Sequence, residues 1–149
     1  ERFISSAFII NNTHTMCQSG RISKRIQVLC DALLLHPILV LKKSKMVVSS
    51  MEMGSFSNVM KKYVKKVLQE TKTIDRSTLF ITYSGLDREK LQYVQDLVEQ
   101  YCSFDQVYLQ KASAAVACNC GPGSFGLFFM RKDEAATDAV QPEKQDGAA

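Results

Sequence analysis

The stretch Cys118-Asn119-Cys120-Gly121-Pro122-Gly123-Ser124-Phe125-Gly126-Leu127-Phe128-Phe129 constrains the fold more than any other: a tight glycine turn feeds directly into bulky apolar residues. Glycine leaves the backbone bare, so the turn can lie close to whatever faces it. A second stretch near the front repeats the pattern. Ser19-Gly20-Arg21-Ile22-Ser23-Lys24 leads into an apolar helix and then into His36-Pro37-Ile38-Leu39-Val40-Leu41-Lys42. Both place a polar turn between greasy elements, which suggests a polar mouth over an apolar interior.

With 149 residues, 46% of them hydrophobic, the chain can bury one ordinary core and is expected to form a single domain. Its apolar runs, such as Ala32 to Leu35 and Leu127 to Met130, fall far short of the roughly 20 residues of a membrane-spanning helix. The start, Glu1-Arg2-Phe3-Ile4, has no initiator Met and no basic or apolar leader, and reads as the cut edge of a longer protein. Five cysteines among mostly apolar neighbours favour reduced thiols and a cytoplasmic setting over a disulfide framework. Cys118 and Cys120 have no second pair at metal-ligand spacing, so no metal is expected, and nothing calls for a cofactor. A net charge of +4 without long basic runs or tryptophan argues against nucleic acid as a partner.

Along the chain, Ala7 to Asn11 is β-branched and apolar and predicts a strand, followed by a turn carrying Thr13, His14 and Thr15. After Gly20, the spacing of Ile22, Ile26, Leu29 and Leu33 predicts a helix with those residues on its buried face. Pro37 ends it, and Ile38 to Leu41 and Met46 to Met51 read as strands joined by the basic turn Lys42 to Lys45. From Phe56 to Thr71, an amphipathic helix sets Met60, Tyr63, Val64, Val67 and Leu68 against Lys61, Lys62, Lys65 and Lys66. Thr78 to Tyr83 is a strand, and Asp87 caps a helix with Glu89 in its first turn and Leu91, Val94, Leu97, Val98 and Tyr101 inside. Gln106 to Leu109, Ala114 to Cys118 and Leu127 to Met130 read as three short strands. The result is a two-layer α+β domain, about three helices over one mixed or largely antiparallel sheet. Residues 133–149 have no aromatic residue and are expected to form a disordered tail, leaving 1–132 as the ordered unit.

The glycine turns admit more than one use. Backbone N–H groups at Gly121 and Gly123 can face an anion, or the turn simply joins two elements. The Arg21 guanidinium can hold a carboxylate in two parallel hydrogen bonds, or cap a carbonyl.

Taken together, the two stretches resemble the C-terminal lobe of the DegV family, bacterial fatty-acid-binding proteins built from two lobes. The family's Gly-Gly-Arg-Ile/Leu-Ser turn, Lys-Pro-Ile-Leu-like strand and His-x-Gly-Pro-Gly turn are matched here by Ser19 to Ser23, His36 to Leu41 and Asn119 to Gly123. Ser19 replaces the first glycine, and Asn119 stands where the family has histidine, so that position offers an amide but no charge. The resemblance implies a carrier, not a catalyst. A long-chain fatty acid would lie in the apolar interior with its carboxylate between the lobes, held mainly by hydroxyls of an N-terminal lobe absent here, with the C-terminal lobe's Arg and His positions nearby. The carrier would present it to a dihydroxyacetone-kinase-like fatty-acid kinase. Arg21, Asn119, Gly121 and Gly123 then form the mouth, and Ile38, Val40, Leu127, Phe128 and Phe129 are the candidates to line the tunnel. Each methylene buried there contributes about 0.8 kcal/mol.

Two other classes compete. Cys118 or Cys120 as a nucleophile would need a base, and His14 and His36 are the only histidines. Alternatively, the chain is a non-catalytic docking or regulatory domain whose lysine-rich helix meets an acidic partner.

Overall fold

The computed structural model of the protein describes residues 3–42 and 45–132. Six strands form one mixed sheet in the order β3-β2-β1-β6-β4-β5. They are β1 (Phe3–Ile9), β2 (Leu35–Lys42), β3 (Lys45–Met53), β4 (Ile74–Ser84), β5 (Gln106–Lys111) and β6 (Ser124–Arg131). All neighbours are antiparallel except β4 and β5. That parallel pair needs a crossover, which α4 (Arg88–Tyr101) supplies.

Helices α3 (Phe56–Glu70) and α4 cover one face of the sheet. The two-residue period of a strand sends Ala7, Ile9, Ile38, Leu79, Ile81, Phe125, Leu127 and Phe129 to that face, where they meet Val59, Met60, Tyr63, Val64, Val94 and Leu97. Tyr63 is the polar pin of this core. Its hydroxyl donates to the Ala7 carbonyl at 2.5 Å and accepts from the Leu127 N–H at 3.3 Å, between two residues that face each other across β1 and β6. The expected cap of α4 is present: the Asp87 carboxylate accepts the Lys90 N–H at 2.8 Å. The four lysines of α3 all stand in solvent.

The expected α+β architecture is thus observed, with three departures. Ala114 to Cys118, read as a strand, belongs to a helix, α5 (Ala114–Cys120). Ser113 caps it by accepting the Val116 N–H, and the alanine-rich run favours helix once that cap has nucleated it. The turn at Thr13 to Thr15 likewise opens a short helix, α1 (His14–Gln18), so the described residues hold five helices in place of about three. Finally, the helix after Gly20, α2 (Lys24–Ala32), buries Gln27 and Cys30. Ile26, Leu29 and Leu33, expected on its buried side, are 43%, 54% and 48% exposed. Gln27 faces inward because it accepts from Lys24 and lies within hydrogen-bonding reach of His14 Nδ1 and Asp31, while Asp31 also accepts from Thr13. The turn residues 43 and 44 and the expected tail, 133–149, lie outside the described residues.

Candidate functional site

The described residues cover the sheet face opposite α3 and α4 only in part. At one end α1 and α5 lie on it, through a small cluster of Phe8, Ile10, Met16, Leu39 and Cys120, with Ile22, Met46, Val116 and Phe128 at its margin. Beyond them the face opens into an apolar groove of about 600 Å³, lined by Ile4, Phe8, Met46, Phe80, Phe128 and Met130. Phe8 and Phe128 meet edge to face at 5.1 Å, and Phe80 stacks on Tyr108 at 5.3 Å. Val116 of α5 also lines the groove, which therefore runs up to this helix.

One turn further along α5 stands Asn119, whose side chain is tied on both sides. Its Nδ2 donates to the Ala115 carbonyl at 2.8 Å, and its Oδ1 accepts Arg21 Nε at 3.0 Å. The two glycine turns, 98 residues apart in sequence, are thereby joined through their polar side chains. Arg21 is exposed, and among the described residues no carboxylate pairs with it.

Gly121 and Gly123 sit beside this pair but do something else. The Gly121 N–H donates to the Ala117 carbonyl at 2.8 Å and the Gly123 N–H to the Ser84 carbonyl at 2.7 Å. Both donors are consumed within the protein, which favours the reading in which the turn joins two elements over the one in which these groups face an anion. The glycines are required for packing. At φ +73° and +81°, a Cβ on Gly121 would stand 2.6 Å from Thr15 Oγ1, and one on Gly123 would stand 2.6 Å from Asn11 Nδ2.

The five apolar candidates divide between the faces. Ile38, Leu127 and Phe129 are buried in the layer shared with α3 and α4, and Val40 packs against it half-buried. Phe128 turns to the groove face. Sequence reasoning missed Ile4, Phe8, Met46, Phe80 and Met130. For Met130 the signal was present in β6, where Phe128 and Met130 alternate with the equally apolar Leu127 and Phe129, the mark of a strand covered on both faces.

Among the described residues neither histidine is hydrogen-bonded to a cysteine. His14 Nδ1 lies 3.2 Å from Gln27 Nε2, and the His36 ring nitrogens face the Ile10 and Gly54 carbonyls, each at 3.2 Å. Burial pushes the Cys120 thiol up to about 11 against a smaller pull from Arg21, so it is the neutral thiol at neutral pH. Among the described residues no cluster could hold a metal, and no helix is long and apolar enough to cross a membrane.

The model of the DegV family, described as uncharacterised proteins, matches residues 2–132. The chain belongs to the DegV family. No curated protein matches it. Among solved structures it is similar to a DegV protein of Eubacterium eligens loaded with heptadecanoic acid, at 17% identity and a TM-score of 0.67, covering 87% of this chain and 46% of that one. The Fatty Acid Kinase (Fak) B3 protein of Streptococcus pneumoniae, loaded with linoleic acid, matches at 11% identity and 0.64, over 87% and 45%. A fatty-acid-binding DegV protein of Thermus thermophilus matches at 19% and 0.63, over 89% and 46%. At these identities the likeness shows a shared DegV fold, and this chain spans less than half the length of those proteins.

Proposed function

We propose that this chain is the lipid-binding C-terminal lobe of a DegV-type fatty-acid carrier. The observation that carries the reading is the open apolar groove on the sheet face, bounded by the helix that holds Asn119 and, through it, Arg21. A groove of about 600 Å³ lies within the range of small-molecule sites, roughly 300–1,000 Å³. Its lining is mostly apolar, with Lys111 among its polar residues, and Arg21 is bonded to the helix at its end, an arrangement that suits a long acyl chain with a single carboxylate. The loaded state of the Eubacterium and Streptococcus proteins supports a fatty acid as the occupant. A second lobe of the same protein would close the groove, consistent with the greater length of the matched structures.

In this reading the chain carries out no chemistry. It works in the cytoplasm and presents the carboxyl group to a separate, dihydroxyacetone-kinase-like fatty-acid kinase. The exposed lysines of α3 lie on the far side of the sheet from the groove, so reversing their charge is expected to leave lipid uptake unchanged. Lipid extraction and native mass spectrometry of the purified chain test the proposal. A co-purifying or added fatty acid bound one to one is expected; a folded chain that retains none, even when offered excess fatty acid, would overturn it.

A further inference from the structure

Asn119 occupies the one position where this chain gives up a chargeable group at the mouth, and its hydrogen bonds define a different task. An arginine Nε–H can only donate and a helix carbonyl can only accept, so the amide has one possible orientation: Oδ1 to Arg21, Nδ2 to Ala115. Its oxygen already serves Arg21, and one of its N–H groups is turned back into α5. The contact to Nε also fixes which part of the guanidinium is free. Nε–H is occupied, which leaves the edge formed by the two terminal nitrogens as the fork open to a carboxylate. Ser113 anchors the other end of α5 by its cap, so the carbonyl that holds Asn119 is itself held.

We infer that Asn119 is a positioning residue: it clamps Arg21 by Nε to the Ala115 carbonyl so that the terminal guanidinium edge is the part of Arg21 presented to the ligand's carboxylate. The inference rests on the fatty-acid-carrier reading and adds the division of labour at its mouth. Arg21 supplies the charge at the end bounded by α5, while Lys111 is a second cation in the groove lining. Asn119 supplies orientation without touching the ligand. Because Asn119 is neutral, it directs Arg21 without cancelling its charge, which an aspartate in the same place would do. The chain is therefore expected to owe a measurable part of its choice of acids over neutral lipids of equal length to this oriented cation.

Binding of a pyrene-labelled long-chain fatty acid and of the corresponding fatty alcohol to the full chain separates these statements. Arg21→Gln should lose a measurable part of the preference for the acid, weakening it about tenfold or more, the scale of one charge-assisted hydrogen-bonded pair, with alcohol binding unchanged. Arg21 is exposed, so this variant keeps the fold. Asn119→Leu should erode the same preference about threefold to tenfold, since the cation survives but is no longer held. Asn119→Asp restores the acceptor for Nε and neutralises the site, and should lose as much acid binding as Arg21→Gln. A merely structural role for Asn119 predicts equal losses for acid and alcohol, and that result would overturn the inference while leaving the carrier reading intact. Unchanged acid preference in both Asn119 variants would do the same. A wild-type chain that binds neither probe overturns the carrier reading, and the inference falls with it.

Discussion

Tyr63 shows how much structure one side chain can hold. Its hydroxyl is fully buried between β1 and β6 and serves a carbonyl and an N–H of facing residues. Tyr63→Phe keeps the ring, which meets Phe125 edge to face at 5.3 Å, but removes the hydroxyl that bonds both backbone groups. The expected loss is about 1–3 kcal/mol in a urea titration. Burial, opposed weakly by the Leu127 N–H, holds this phenol well above the usual tyrosine range. The unfolded chain therefore ionises first, near pH 10 or roughly there. Stability from this group is complete below that pH and declines above it, so Tyr63→Phe should flatten the alkaline limb of the stability profile. Cysteines separate in the same way. Cys118 is exposed, whereas Cys30, Cys102 and Cys120 are buried. Under native conditions iodoacetamide should modify Cys118 well before those three, read by peptide mass spectrometry; fast labelling of Cys120 would revive a reactive-thiol reading.

At the scale of the element, α5 decides whether the two glycine turns meet. Its start is a serine cap, and its end is a glycine at φ +73° pressed against Thr15 of α1. Ser113→Ala is expected to cost about 1 kcal/mol. Gly121→Ala should cost about 2 kcal/mol or more, since it combines a left-handed alanine with a Cβ 2.6 Å from Thr15 Oγ1. Thermal melts of both variants check the order; equal, small shifts would mean that the turn yields easily. This same helix was the least legible part of the sequence. Ala115, Val116 and Ala117 are too few and too uniformly apolar to display a period, and length alone did not separate strand from helix. By contrast α3 and α4 run for 15 and 14 residues, long enough for the stripe of Met60, Tyr63 and Val64, or of Val94, Leu97 and Val98, to repeat. The stripe of α2 marked a helix correctly and its orientation wrongly. Periodicity reports that a helix has two sides; the hydrogen bonds of Gln27 and Asp31 determined which side turned inward.

For the molecule as a whole, the sheet has a closed face and an open one, and the two give opposite expectations for adjacent residues. The meeting of Arg21 and Asn119 was legible through the resemblance to the DegV family, which sets both glycine turns at one mouth. The lining of the groove was not, because strands apolar on both sides do not say which side α3 and α4 will cover. β4 allows the distinction to be tested. Leu79 is fully buried beneath the helices, while its neighbour Phe80 is 41% exposed and lines the groove. Leu79→Ala removes core volume and should cost about 2–5 kcal/mol, with lipid binding lost only as the protein unfolds. Phe80→Ser removes a ring that stacks on Tyr108 at the surface, and its melting temperature should move by only a few degrees, roughly the shift of a 1 kcal/mol change. Its fatty-acid affinity should nevertheless fall about tenfold, the value of one to two methylenes of acyl contact. Folded Phe80→Ser protein that retains fatty acid as tightly as wild type would place the acyl chain elsewhere and leave this face to another partner.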